Sequence, residues 1–256
     1  MKVVICNSNV EAAYIAADMV TAQIESKPNT VLGLATGSSP LALYEELVNR
    51  YRRGDISFAC TTMFLLDEYV GLPVDHPQSF KTFIRRVFTD QIDVKAKAVY
   101  VPEGNALDDQ EACRKYEVSI VEAEGIDLQI LGIGSNGHIG FNEPSSSLAS
   151  RTRLITLTEQ TQRDNAPYFD HRNDMPTQAL TQGIGTILDA RSIILVAFGL
   201  KKRDVVKSAV EGPVTAMMPA SSLQLHPNVT ILIDEAAASE LEHSEYYRSA
   251  FGGVTS

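Results

Sequence analysis

The chain has 256 residues, of which 44% are hydrophobic and 21% are charged, and its formal net charge is −10. This length is sufficient for one large α/β domain with its own core, and we predict a single domain over residues 1–256 because no stretch resembles a linker. The acidity argues against non-specific nucleic-acid binding, which needs a basic surface. No apolar run approaches the roughly 20 residues of a membrane helix.

The three cysteines are Cys6, Cys60 and Cys113, and their wide, irregular spacing predicts neither a disulfide framework nor a zinc site. Cys6 and Cys60 lie in apolar runs, so we expect both thiols to be buried. The apolar stretch at the N-terminus is too short for a signal peptide. We therefore predict a cytoplasmic protein that does not bind membranes.

Apolar runs alternate with segments of helical periodicity along the chain. We predict strands over 3–6, 30–36, 61–69, 98–102, 127–134, 153–158 and 192–199, and a last strand that begins at 229. We predict helices over 10–24, 39–53, 79–88, 108–123, 201–210 and the later part of 229–241. In the helix over 39–53, Ser39 is the expected N-cap and Pro40 the first helical residue.

Several predicted strands are apolar on both faces, which is typical of parallel strands covered by helices. The alternation predicts an α/β fold of the Rossmann-like class, with a doubly wound, mainly parallel sheet flanked by helices on both faces. Ligands of such sheets bind beyond the carboxyl ends of the strands. Three strand-end segments therefore become candidate site segments.

The first candidate segment is ATGSSP, over 35–40. The backbone N–H groups of Gly37, Ser38 and Ser39 could converge at a helix N-terminus and bind a phosphate, with two hydroxyls beside them. The alternative is a plain turn with a serine cap. The segment lacks the Gly-Lys-Ser/Thr ending of a Walker loop.

The second candidate segment is LLDEYVGL, over 65–72, which places Asp67 and Glu68 at a strand end. Adjacent strand residues point to opposite faces, so only one of them enters a given cleft easily. A shielded carboxylate there is suited to general-base chemistry. The alternative is a solvated acid in a loop.

The third candidate segment is LGIGSNGHIGFNEP, over 131–144, where four glycines surround Asn136, His138, Asn142 and Glu143. A histidine in such a loop is suited to proton transfer near neutral pH, and Glu143 is close enough in sequence to orient it. The spacing GxGxxG also matches a dinucleotide fingerprint, but no helix opens directly after it. We therefore favour acid/base chemistry, with no metal site and no organic cofactor.

Together, LDEYVGL, GxGxNGHIGFNEP, SRTR and LQLHP resemble the glucosamine-6-phosphate deaminase family over nearly the whole chain. The resemblance implies conversion of glucosamine 6-phosphate and water to fructose 6-phosphate and ammonia. It implies that Asp67 moves a proton from C2 to C1 and that His138, supported by Glu143 and Asn136, opens the sugar ring. It also implies that Gly37, Ser38, Ser39 and Lys202 bind the phosphate.

The sequence departs from the family pattern at two positions. Pro167 stands in NAPYF where the family usually has a phosphate-binding arginine, and Arg163 and Arg172 are the candidate substitutes. Ile155 stands in RTRLI where regulated members have a lysine that binds an allosteric N-acetylglucosamine 6-phosphate, while Arg153, Ser146 and Ser147 remain. We expect weak or no activation by that ligand.

Two other functions stay open at this stage. One is a hydrolase similar to 6-phosphogluconolactonase, which would share the fold and the phosphate pocket. The other is a non-catalytic module that senses sugar phosphates, although the chain has no spare length for a DNA-binding domain. The sequence leaves the oligomeric state open, including a homo-oligomer.

Overall fold

The structure is a computed structural model that describes residues 1–73, 75–169, 171 and 174–251. Ten strands occur within these residues: β1 Lys2–Cys6, β2 Val31–Leu34, β3 Thr62–Leu65, β4 Asp67–Tyr69, β5 Val99–Tyr100, β6 Leu128–Leu131, β7 Arg153–Thr156, β8 Gln178–Thr181, β9 Ser192–Ala197 and β10 Val229–Asp234. The described α-helices are α1 Asn9–Ser26, α2 Leu41–Arg53, α3 Phe80–Val87, α4 Asp109–Glu122, α5 Glu159–Asn165, α6 Ile184–Leu188, α7 Arg203–Val210 and α8 Ser244–Phe251. None of the described helices is long and apolar enough to cross a membrane.

Seven of the described strands form one parallel sheet in the order β1-β10-β9-β6-β2-β3-β5. Every residue of β2 and β6 is buried, as expected for strands covered on both faces. Helices alternate with these strands along the chain and flank the sheet. The predicted doubly wound α/β class is therefore confirmed.

The strand predicted over 61–69 is in fact two strands in different sheets. The N–H of Leu66 donates to the carbonyl of Leu34 on β2, at 3.1 Å, whereas the carbonyl of Leu66 accepts from the N–H of Gln182, at 2.7 Å. At Leu66 the chain therefore leaves the large sheet. Beyond it, β4 joins a small antiparallel sheet of order β4-β8-β7.

Three further features differ from what the sequence predicted. The predicted strand over 153–158 lies in the small sheet as β7. The helix expected at the end of 229–241 is wrong, because turns follow β10 there; the side chain of Asp234 accepts from the N–H groups of Gly199 and Ala237. Cys6 is buried, but Cys60 is exposed because it lies in a turn before β3.

Candidate functional site

Four adjacent strands of the large sheet carry the candidate residues at their carboxyl ends. In sheet order they are β9, β6, β2 and β3, followed along the chain by Lys202, the 132–143 loop, the 35–40 loop and Asp67. The strand order reverses between β6 and β2, so the chain segments that leave the carboxyl ends of these two strands run in opposite directions. Crevices at such switch points are where doubly wound sheets bind ligands.

A cleft of about 210 Å³ opens at this point, and six of the eight predicted site residues line it. They are Gly37, Ser38, Ser39, Asp67, His138 and Lys202. Asn136 and Glu143 do not line the cleft and lie behind His138 instead. Sequence reasoning did not identify the other side chains at the cleft wall that matter below, which are Phe80, Phe141, Asp164, Asn165 and Tyr168.

The 35–40 loop forms one wall of the cleft. Gly37 has φ +93°, a left-handed conformation that favours glycine. The prediction of Ser39 as N-cap is wrong, because α2 begins at Leu41 and is preceded by Pro40, which already has helical backbone angles. Within the described residues, the hydroxyls of Ser38 and Ser39 have no hydrogen-bond partner, and both residues line the cleft. These hydroxyls are therefore available to an anionic ligand.

Lys202 reaches the cleft from the turn before α7. Its Nζ donates to the carbonyl oxygen of Ile133 at 2.7 Å, which ties it to the loop after β6. Burial lowers the pKa of Lys202, and the nearby charge of Asp164 opposes that change. Among the described residues that line the cleft, Lys202 is the one lysine or arginine.

Asp67 is the first residue of β4, and its side chain enters the cleft while that of Glu68 points to the other face of the strand. The residue is 5% exposed, and in the described part of the chain its carboxylate has no hydrogen-bond or ion-pair partner. Burial, and secondarily the charge of Glu68, raises the pKa of Asp67 well above its usual range. A buried carboxylate without a partner is suited to taking a proton from a bound ligand.

His138 is the end of a three-residue hydrogen-bond relay. Nδ1 of His138 lies 2.8 Å from Oδ1 of Asn136, and Nδ2 of Asn136 donates to Oε2 of Glu143 at 2.7 Å. Because the Asn136 amide donates through its nitrogen, its oxygen accepts from His138, so Nδ1 carries the hydrogen. In a neutral imidazole Nε2 is then the proton acceptor.

Glu143 anchors the relay from behind. Its Oε1 accepts from both the N–H and the hydroxyl of Thr158, at 3.2 and 3.1 Å. Burial opposes its ionisation, but the imidazole of His138, 3.7 Å away, and the hydrogen bond from Asn136 outweigh burial and lower the pKa of Glu143 to about 2. The carboxylate is therefore ionised at neutral pH.

Gly134 gives the imidazole its space. A Cβ added there would lie 2.2 Å from Cε1 of His138, well inside contact distance. The N–H of Gly134 also donates to the carbonyl of His138 at 2.8 Å, which closes the loop. The glycine is thus required for the imidazole position.

Of the two candidate substitutes for the missing arginine, the structure describes Arg163 alone. Arg163 pairs with Glu159 at 3.4 Å and donates to Gln160, away from the cleft. Arg172 lies outside the described residues. Pro167 lies in a short 3₁₀ turn, Ala166–Tyr168, and this turn brings Tyr168 to the cleft.

Arg153 contacts the 132–143 loop through Asn142. Its guanidinium donates to Oδ1 of Asn142 at 2.8 Å and to the hydroxyl of Ser146 at 2.9 Å. Asn142 is fully buried and donates in turn to the carbonyls of Ile139 and Gln182. Both terminal nitrogens of Arg153 therefore donate to groups of the protein itself.

Comparison with known proteins identifies the family of the chain. The family model described as glucosamine-6-phosphate isomerases/6-phosphogluconolactonase matches residues 9–232. The chain belongs to this family. The predicted resemblance is therefore confirmed.

Relatives in the family resemble the chain over nearly its full length. A glucosamine-6-phosphate deaminase of Mycolicibacterium smegmatis is 53% identical, over 98% of this chain and 97% of the relative. One of Arthrobacter sp. (strain FB24) is 52% identical, over 98% and 96%.

Solved structures also match. One described as a monomeric glucosamine-6-phosphate deaminase is 43% identical, with a TM-score of 0.92 over 94% of this chain and all of that chain. The 6-phosphogluconolactonase from Trypanosoma cruzi is 20% identical, with a TM-score of 0.76 over 94% and 97%, and that likeness shows the fold alone.

Proposed function

We propose that the protein is a glucosamine-6-phosphate deaminase, which converts glucosamine 6-phosphate and water to fructose 6-phosphate and ammonia. The observation that carries the proposal is the arrangement of Asp67 and His138 in one cleft, where an unpartnered buried carboxylate meets an imidazole held by a carboxylate relay. Relatives at about half identity over nearly the full length bear that name.

The reaction begins with ring opening, for which His138 is the proposed acid/base. The closed sugar is a hemiacetal, so a proton must move from O1 to O5 before the C1 aldehyde exists. Nε2 of His138 takes the first proton and returns it to O5. The relay through Asn136 to Glu143 holds the ring and stabilises its charged form during the transfer.

Asp67 is the proposed base for the isomerisation. It takes the proton from C2, which the C1 aldehyde has made acidic, and leaves a 2-amino-enolate across C1 and C2. Returning the proton to C1, with transfer of one amine proton to O1, produces a 2-imine with a C1 hydroxyl. Water adds at C2 to form a carbinolamine, which releases ammonia and leaves the ketone. No step of this sequence requires a cofactor.

The phosphate end of the substrate is proposed to lie against the 35–40 loop. Ser38 and Ser39 supply hydroxyls and backbone N–H groups, and Lys202 supplies the positive charge. With Pro167 in the place of an arginine, neutral donors carry more of the binding. Tyr168 and Asn165 are available at the same cleft to contribute hydrogen bonds.

Parallel assays distinguish this proposal from lactone hydrolysis. Ammonia release from glucosamine 6-phosphate and acid release from 6-phosphogluconolactone are measured on the same sample of purified protein. We expect turnover of the amino sugar and none of the lactone above the spontaneous rate, with at least a hundredfold lower kcat in Asp67→Asn. Lactone turnover without ammonia release would refute the proposal.

A further inference from the structure

Glu68 lies beside the proposed base but faces the opposite side of β4. The residue is 6% exposed and borders a second pocket, which Ser79 and Lys81 also line. Because neighbouring strand residues alternate between faces, Glu68 does not touch the cleft that holds Asp67. Its carboxylate nevertheless accepts hydrogen bonds from three backbone N–H groups.

The carboxylate of Glu68 binds the N-terminus of α3. Oε1 accepts from the N–H groups of Tyr69 and Phe80, and Oε2 accepts from the N–H of Lys81, all at 2.9 Å. The first N–H groups of a helix have no partner within the helix, and a negative charge there is favoured by the helix dipole. A carboxylate on another element therefore holds the first turn of α3 to β4.

The first turn of α3 also forms the cleft wall. The ring of Phe80 lines the cleft, with its centroid 4.7 Å from that of Tyr69 and 5.6 Å from that of Phe141. Phe141 belongs to the same loop as His138. The Glu68 contacts thus fix Phe80, a part of the aromatic wall of the cleft that contains the proposed base and the proposed ring-opening residue.

We propose that Glu68 is a positioning residue for the reaction, which holds Asp67 and Phe80 in place by binding the first two N–H groups of α3. The proposal rests on the proposed deaminase function. Glu68 does not line the cleft and acts through the strand on which it lies. One side chain thus links the strand of Asp67 to the Phe80 wall of the cleft.

Glu68 also contributes its charge. Burial is the largest effect and raises the pKa of Glu68 overall, while the three N–H donors and the charge of Lys81 oppose that rise and favour the ionised form. That charge adds to burial in raising the pKa of Asp67. Among the described residues, the other titratable groups near Asp67 are Tyr69 on the same strand, Tyr116 on α4, and four that line the cleft, His138, Asp164, Tyr168 and Lys202.

Two variants separate the effect of the charge of Glu68 from the effect of its side-chain length. Glu68→Gln removes the charge, and Glu68→Asp keeps the charge but shortens the side chain. Glu117→Gln is the matched control, because Glu117 is a largely buried carboxylate that accepts from the N–H of Thr152 at 2.8 Å outside the cleft. The readouts are the pH profile of kcat for ammonia release and hydrogen exchange of the Phe80 and Lys81 amides.

In Glu68→Gln we expect the acid limb of the profile to move down by about one pH unit, because a like charge near Asp67 is lost. We expect kcat to fall about tenfold with a nearly constant KM, and exchange of the two amides to become at least tenfold faster. Glu68→Asp should keep the acid limb and still exchange faster, whereas Glu117→Gln should change neither readout.

An unmoved acid limb or unchanged amide exchange in Glu68→Gln would overturn the proposal. The two proposals also fail in different ways. Wild-type protein that releases no ammonia would refute the deaminase function, while amide exchange would still test whether Glu68 holds α3. If Glu68→Gln does not fold, the exchange rates of Glu68→Asp decide the matter.

Discussion

Replacing Asp67 with asparagine should make the protein more stable while it abolishes turnover. The two side chains have nearly the same shape, so the change removes the charge of Asp67 without leaving a cavity. The wild-type carboxylate is 5% exposed and has no partner among the described residues. Its ionised form therefore destabilises the fold at neutral pH.

The magnitude follows from the burial of a polar group that no neighbour compensates, which costs about 1–3 kcal/mol in protein mutational data. We expect a gain of about that size in the free energy of unfolding at pH 8, or about 3–10 °C in Tm. Protonated Asp67 contributes stability below its unfolded pKa near 3.8, and this contribution is lost as pH rises through the raised folded pKa. The gain should therefore shrink as the pH is lowered towards 4.

The assay is urea unfolding at pH 8 and pH 4.5, with Asp127→Asn as the matched control. Asp127 is 3% exposed, as deeply buried as Asp67, but it pairs with Lys27 at 2.8 Å and with Arg191 at 3.1 Å. Removing one partner of a buried ion pair should cost about 2–4 kcal/mol. A destabilised Asp67→Asn variant, or a gain of the same size at both pH values, would refute the reasoning.

Three further predictions concern other residues of the site. Lys202→Met should raise KM for glucosamine 6-phosphate at least tenfold with a smaller change in kcat, because its charge binds the phosphate in ground and transition states alike; steady-state kinetics measure both. Gly134→Ala should lower kcat at least tenfold in a folded protein, because the added Cβ displaces the imidazole of His138; circular dichroism checks the fold. Glu143 has a pKa lowered from 4.5 to about 2, so it contributes stability that is present above pH 4.5 and lost as pH falls towards 2; acid unfolding of Glu143→Gln should lack that part, about 2–3 kcal/mol.

The large sheet could be predicted because its evidence is local. Runs such as LQILGIG, apolar on both faces, identify buried parallel strands from the sequence alone. The change of sheet at Leu66 could not be predicted in this way, because it depends on Gln182, a partner more than a hundred residues away. Local apolar patterns contain no information about such pairings, so TTMFLLDEY was predicted as one strand.

The part of the site that could be predicted is the part that follows the ends of strands. Asp67, His138 and Lys202 meet at one cleft because the strands that precede them lie within a run of four adjacent strands of the sheet. The wall formed by Phe80 and Tyr168 was missed, because an aromatic residue in a helix or turn shows no sequence signal for which cavity it faces. The roles of Asp67, His138 and Lys202 in binding and chemistry stay predictions.

The central claim is that Asp67 moves the C2 proton of a sugar whose ring His138 has opened. Proton NMR of glucosamine 6-phosphate in D₂O follows both steps, through exchange between the anomers and through loss of the C2–H signal. Wild-type protein should accelerate both, Asp67→Asn should accelerate anomer exchange alone, and His138→Gln should accelerate neither. Loss of the C2–H signal at the wild-type rate in Asp67→Asn would contradict the account.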